Sequence, residues 1–425
     1  MELKTSYQYT YFIYPFAIKE KNYKKYVINL INNKKFKLKM FDAFKDVELY
    51  KYFVPSIKEK MFQDFSFTAE KMSSINKLSK SQKLKQLLKQ KCIIFEYDLP
   101  NQISGKTGDK DGIFFSIPKI ELICFDTGIC FLNIKTTLTD TEEFSDIINF
   151  NYKFENINFE NNNIKKLKNI KIQTDMFDTM SQFLGIVEKI TGKKINSKDL
   201  NIDKNMFLIY SYVCVKSNYW NEKKGFENIE NEFIKLAEVK PNDVNINIEY
   251  DKLSIISNAS YMKLRANSKS VALICSEADQ YNYTHLPEIY ENQYLYTYIL
   301  ALHQKFYLTR INKKLKTNPR IAIKEFFKFC NEIWISEITG DSFGQKLYKR
   351  FKEKLNIEEI FNEIKNKYDI YYKELRVEKN ERINKFVVII MLLCLLTGLA
   401  NLSAWMFIKW LLRGEKWEFI LGQIL

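Results

Sequence analysis

The chain has 425 residues, with 66 Lys+Arg against 51 Asp+Glu for a net charge of +15, only 12 Gly and 7 Pro, and 26 Tyr with 33 Phe. Hydrophobic residues at 46% and aromatics at 15% supply a buried core, which excludes a disordered or low-complexity chain, and the scarcity of Gly and Pro excludes collagen-like and linker-dominated architectures. The length predicts two or three domains.

The first 19 residues are aromatic and begin with Glu2 and Lys4, without the basic, aliphatic and small-residue regions of a secretory signal, so the body is expected to stay in the cytoplasm. Short β-branched and aromatic runs then predict strands at 10–18, 92–97, 112–117, 121–125 and 129–135, with helical spacing in 20–90 between the first two. Asp126-Thr127-Gly128 predicts a tight hairpin between the last two strands. Residues 101–112 form the most polar, Gly-dense loop. Beyond the Asn-rich connection at 161–163, strands are predicted at 206–216 and 271–276. From Tyr290 the pattern is helical (291–315, 321–339, 343–355, then from Ile357), broken by Asn318-Pro319 and Gly340.

The last of these helices carries Ile357, Phe361, Ile364, Tyr368, Tyr371 and Leu375 at steps of 4, 3, 4, 3 and 4, a seam of nearly three heptads. This spacing predicts either a stalk that packs on other helices or an amphipathic helix packed on its own domain. No breaker separates it from the uncharged stretch Phe386 to Ile408, whose 23 residues exceed the roughly 20 that a helix needs to cross a bilayer. Trp405, Trp410 and Trp417 fit an interfacial belt. Residues 409–425 carry Lys409, Arg413, Glu415, Lys416 and Glu418, which predicts an interfacial tail or a weak second span. The expected organisation is an α+β (α/β) domain over 1–285, a helical region ending in a stalk helix over 286–385, a transmembrane helix over 386–408 and the tail.

The membrane tail is nearly neutral, so almost the whole positive excess lies on the body. Such a body suits nucleic acid, a phosphorylated ligand or an anionic membrane face, and Lys-rich composition alone also accounts for it. Seven scattered cysteines without a Cys-x-x-Cys pair predict small core residues in a reducing compartment and neither a zinc site nor a disulfide framework.

The chemical motifs are few. Gly105-Lys106-Thr107 lacks the earlier Gly of a phosphate-binding loop, whose position is held by Pro100. Phe125-Asp126-Thr127-Gly128 matches the aspartic-protease tripeptide, yet in one copy it reads as a β-turn. His285 and His303 read as packing histidines rather than metal ligands or bases. No Ser/His/Asp or Cys/His arrangement appears, so no enzyme and no cofactor are expected, and neither a ligand-binding nor a metal-binding residue is assigned.

The order of soluble domain, helical region, long helix and C-terminal span, with the junction Asn380-Glu-Arg-Ile-Asn-Lys-Phe-Val-Val-Ile-Ile-Met-Leu-Leu-Cys-Leu-Leu-Thr-Gly-Leu, resembles the CorA family of divalent-cation transport proteins. Tyr11-Phe-Ile-Tyr-Pro-Phe, Leu122-Ile-Cys-Phe-Asp-Thr-Gly-Ile-Cys-Phe-Leu and Asp146-Ile-Ile-Asn-Phe-Asn-Tyr-Lys-Phe look most like the divergent CorA-like membrane effectors of type III CRISPR systems. The resemblance implies a homo-oligomer, a pentamer as in CorA, in the inner (plasma) membrane with the bulk of the chain cytoplasmic. It further implies a pore gated by a small nucleotide messenger, a divalent cation such as magnesium as the transported ion, and no direct nucleic-acid partner. The family's Gly-Met-Asn signature is absent, and only Asn401, in Gly398-Leu-Ala-Asn, lies near its place. Thr397, Asn401 and Ser403 are the pore-lining candidates, since polar groups favour a shared interior over lipid. The competing expectation is a tail-anchored, non-conducting scaffold that recruits a partner to its basic domain.

Overall fold

In the computed structural model, residues 2–33, 35–42, 44–62, 87–99, 103–106, 112–155, 200–202, 206–243 and 255–421 are described. Their centre is a mixed sheet built from β1 (Thr5–Ala17), β2 (Phe36–Leu38), β3 (Cys92–Tyr97), β4 (Ile103–Lys106), β5 (Phe114–Phe125), β6 (Ile129–Leu138), β7 (Leu208–Val215), β8 (Ile255–Ile256), β9 (Met262–Ala266) and β10 (Ser270–Ser276). The strand order is β2-β3-β5-β6-β1-β7-β10-β9-β8, with β4 added beside β5. Among the described strands only β7 and β10 run parallel.

Helices cover both faces, which explains why β1, β6 and β7 read as near-continuous apolar runs rather than alternating ones. On one face Phe12, Tyr14, Phe16, Leu122, Leu132, Ile134 and Ile209 pack with side chains of helices Tyr23–Asn32, Phe144–Glu155 and Glu230–Glu238. On the other, alternate residues of the same strands meet the later helices. Tyr210 stacks on Tyr290 with centroids 4.2 Å apart, Tyr9 donates to the Pro287 carbonyl, and Phe131 lies 6.1 Å from Phe306. Two-residue periodicity within each strand decides which side chain goes to which layer.

The strands expected at 112–117 and 121–125 are one strand. β5 continues through Pro118, and the register against β6 shifts between Ser116 and Lys119, a bulge that accommodates the missing proline N–H. Gly105 and Lys106 pair with Phe115 and Phe114 as part of β4, a ladder rather than a loop, while 107–111 and the connection at 161–163 lie outside the described residues.

The helical run begins with Tyr281–Thr284 and Leu286–Ile289, passes through a π-helical turn at Tyr290–Tyr294 and continues as Leu295–Thr317. Asn318 caps the next helix, Pro319–Lys328, by accepting from the Ile321 N–H, and the proline takes the first position, where no donor is needed. The helix expected over 321–339 ends sooner. A second π-helical turn at Phe329–Ile333 is followed by extended backbone at Trp334, because the Ile335 N–H is claimed by the Gln304 side chain and Thr339 bonds the Tyr52 carbonyl. Helix Ser342–Lys354, capped by the Asp341 carboxylate, leads to the long helix Ile357–Leu421.

The described chain separates into two compact units, Met1–Asn362 and Glu363–Leu425. The described residues of the second are all helix. Within it lies Asn380–Leu411, whose most apolar 18-residue window has a mean hydropathy of 2.4 and no buried residue, long and apolar enough to cross a membrane.

Candidate functional site

The three polar residues singled out in the apolar stretch occupy different sides of one helix. At about 100° per residue, Thr397 and Asn401 lie about 40° apart on one stripe, and Ser403 projects from the opposite side. The Thr397 hydroxyl donates back to the Leu393 carbonyl at 3.0 Å and the Ser403 hydroxyl to the Ala400 carbonyl at 2.9 Å, which satisfies both donors within the helix. The Asn401 side chain is exposed and has no such bond.

In the first unit, two features of the sequence that are 176 residues apart converge. The β5–β6 hairpin turns at Asp126-Thr127-Gly128, closed by the Gly128 N–H donating to the Phe125 carbonyl at 2.9 Å. Gly128 has φ +80°, and a Cβ there would collide with the Ile18 carbonyl oxygen, so only glycine fits the turn. Thr127 Oγ1 lies 2.9 Å from His303 Nε2, and the imidazole stacks on Phe125 with centroids 3.8 Å apart. Arg310, on the same helix as His303, donates to the Thr127 carbonyl at 2.7 Å. The histidine is thus a hydrogen-bonded packing residue and the tripeptide a turn, as their local sequence suggests. Asp126 faces an ammonium, Lys91 Nζ at 3.3 Å.

Burial, together with the charges of Arg310 and Lys60, pushes His303 down to about 3. The unfolded chain takes up a proton near 6.5 that the native imidazole refuses, so stability present above that pH falls as the pH drops toward 3. The full slope is about 1.4 kcal/mol per pH unit, reached only below 6.5, and denaturation curves between pH 6.5 and 4.5 should lose about 2 kcal/mol. The His303→Asn variant should lose that slope; an unchanged slope would show that the native imidazole is charged.

Beside the hairpin is a cleft of about 30 Å³, lined by Lys60, Lys91 and Lys328, by Asp126 and Glu332, and by Phe125, Leu300, His303, Ile333 and Ile335. Lys91 is bound by Glu332 at 2.8 Å as well as by Asp126, and Lys328 by Glu20 at 2.9 Å. Lys60 lies in the last turn of helix Pro55–Met61, is half-buried and has no carboxylate within bonding distance among the described residues. Burial and then the nearby Lys91 charge lower its pKa.

A second ionic cluster lies between the sheet and the helices. Glu121, only 1% exposed, receives Lys39 at 2.7 Å and Lys119 at 3.1 Å. Glu291, turned inward on the first π-helical turn, receives Lys119 at 3.1 Å, Lys135 and the Tyr11 hydroxyl at 2.7 Å. Burial alone would raise Glu121, but Lys119 and Lys39 outweigh it and hold the carboxyl at about 2. The same attraction lifts Lys39 and Lys119 above the ordinary lysine value against the opposing effect of burial.

Sequence reasoning overlooked both clusters. A signal was present for the second, because Lys119 and Glu121 are charges at two-residue spacing inside an apolar strand, which places both on one covered face. The cleft lysines belong to 60, 91 and 328 and carry no local signal. The cysteines fit their reading as core residues at Cys92, Cys124, Cys130, Cys214 and Cys275, whereas Cys330 is exposed. No protein-family model and no curated protein matches the sequence.

Proposed function

We propose that this protein is a CorA-like, homo-oligomeric membrane channel whose cytoplasmic domain responds to a small ligand such as a nucleotide second messenger, in type III CRISPR antiviral defence. The observation that supports this most is the helix Ile357–Leu421, which is continuous from a charged segment into the fully exposed apolar stretch. One such helix cannot enclose water, so conduction requires several copies around an axis. Asn401, without a partner on its own helix and about one turn past the middle of 386–408, would find one on neighbouring copies, with Thr397 on the same stripe. A divalent cation such as magnesium is the proposed permeant ion and a pentamer the proposed assembly, both by resemblance.

A second reading, an anchored scaffold that does not conduct, is favoured by one detail: the hydroxyls of Thr397 and Ser403 are already satisfied within the helix and need no polar neighbour. Conductance separates the two. Protein reconstituted in liposomes should leak divalent cations when a cyclic oligoadenylate or another adenosine-containing messenger is added, and Asn401→Leu should abolish the leak. Silence with every messenger would leave the scaffold.

A further inference from the structure

The lysine-lined cleft beside the β5–β6 hairpin is not used by the membrane reading. Three ammonium groups (Lys60, Lys91, Lys328) and two carboxylates (Asp126, Glu332) face it, and a third carboxylate, Glu20, pairs with Lys328 from outside the lining. The ion pairs leave out Lys60. Lys91 and Lys328 are held by Glu332, Asp126 and Glu20, whereas Lys60 is half-buried, has no ion pair among the described residues, and feels the repulsion of Lys91 partly offset by the attraction of Glu332. Its charge also reaches His303 on the cleft floor.

An unpaired ammonium pressed against apolar surface is costly, and an anion placed beside it recovers that cost. The floor is suited to such an ion. Phe125, Leu300, Ile333 and Ile335 line it with apolar surface, which lowers the local dielectric and strengthens each charge-assisted bond. The imidazole, held near a pKa of 3, adds no charge of its own. The carboxylates already present mark how an oxyanion sits there: Glu332 reaches Lys91 at 2.8 Å from a side chain that is 45% exposed and free to swing outward.

We propose that the cleft binds the terminal phosphate group of a ligand, with Lys60 as its principal contact and Lys91 and Lys328 flanking it. The space of about 30 Å³ holds about two waters, so a phosphate oxygen can reach Lys60 there. This site is independent of the channel proposal, because it concerns only side chains of the first unit.

The test uses the full chain in phosphatidylcholine nanodiscs. Titration calorimetry with inorganic phosphate and pyrophosphate should show saturable, salt-sensitive binding. Lys60→Met, which keeps the aliphatic stem, should weaken it by about tenfold or more, and Lys60→Arg should restore most of it. A second arm replaces the soluble anions by nanodiscs containing a phosphoinositide and reads the same two variants, so that Lys60-dependent binding in one arm identifies a soluble or a lipid phosphate. Absence of saturable binding in both arms, or binding that Lys60→Met leaves unchanged, overturns the proposal. Binding that survives in a preparation with no conductance would overturn the channel reading alone.

Discussion

Aspartates at Leu392 and Leu396 should release the protein from membranes. Both side chains lie on the exposed surface of the apolar helix, near the middle of 386–408, where a carboxylate costs about 2.5 to 3.5 kcal/mol. Two of them together cost about 5 to 7 kcal/mol, a shift of more than a thousandfold in partitioning. Alkaline extraction followed by flotation should find the double variant in the soluble fraction and a Leu392→Ile, Leu396→Ile control in the membrane. A double-aspartate variant that still floats would show that another part of the chain holds the bilayer.

The second large effect is expected inside the folded body, at Glu121. Glu121→Gln keeps the shape and removes the charge, which leaves Lys39 and Lys119 buried without their counter-ion and should cost about 3 to 5 kcal/mol in denaturant unfolding. Adding Lys119→Met to that variant should recover part of the loss, since it is the orphaned ammonium rather than the missing pair that destabilises. The wild-type protein should show the same interaction through pH. The carboxyl falls from 4.5 to about 2 on folding, so its contribution is complete above 4.5 and is lost as the pH falls through about 2, amounting to about 3 kcal/mol. That window lies mostly below the one expected for His303, so an acid titration of stability should show two successive losses. A Glu121→Gln variant that keeps the lower one would disprove the assignment.

The cluster around Glu121 and Glu291 also explains how the sheet and the later helices are joined. Tyr11 on β1, Lys135 on β6 and Lys119 on β5 all reach Glu291, while Tyr296 and Lys39 meet over Glu121. A carboxylate can accept several donors at once, so a single residue of the π-helical turn ties together three strands. Lys119 and Glu121 stand two residues apart beside apolar runs, but the predicted strands end at 117 and begin at 121, so Lys119 falls between them. Their partners were not legible, because Glu291 reaches them only after the chain has crossed about 170 residues and after the π-turn has rotated it inward.

The same division holds through the molecule. Whatever depends on spacing over a few residues was present in the sequence alone: the apolar stretch 386–408, the hairpin at Asp126-Thr127-Gly128, strands 92–97 and 271–276 to within one residue, the Asn318-Pro319 break and the packing role of His303. Local geometry sets these, through the helix repeat, the two-residue pleat, positive φ at glycine and the fixed φ of proline. Tertiary structure alone decided the strand order, the joining of two predicted strands through the bulge at Pro118, the early end of the helix after Pro319, and the meeting of Lys60, Lys91 and Lys328 around one cleft. Each depends on contacts between residues far apart in the chain, whose charges and hydrogen-bonding groups have no spacing to reveal them until burial forces each to find a partner.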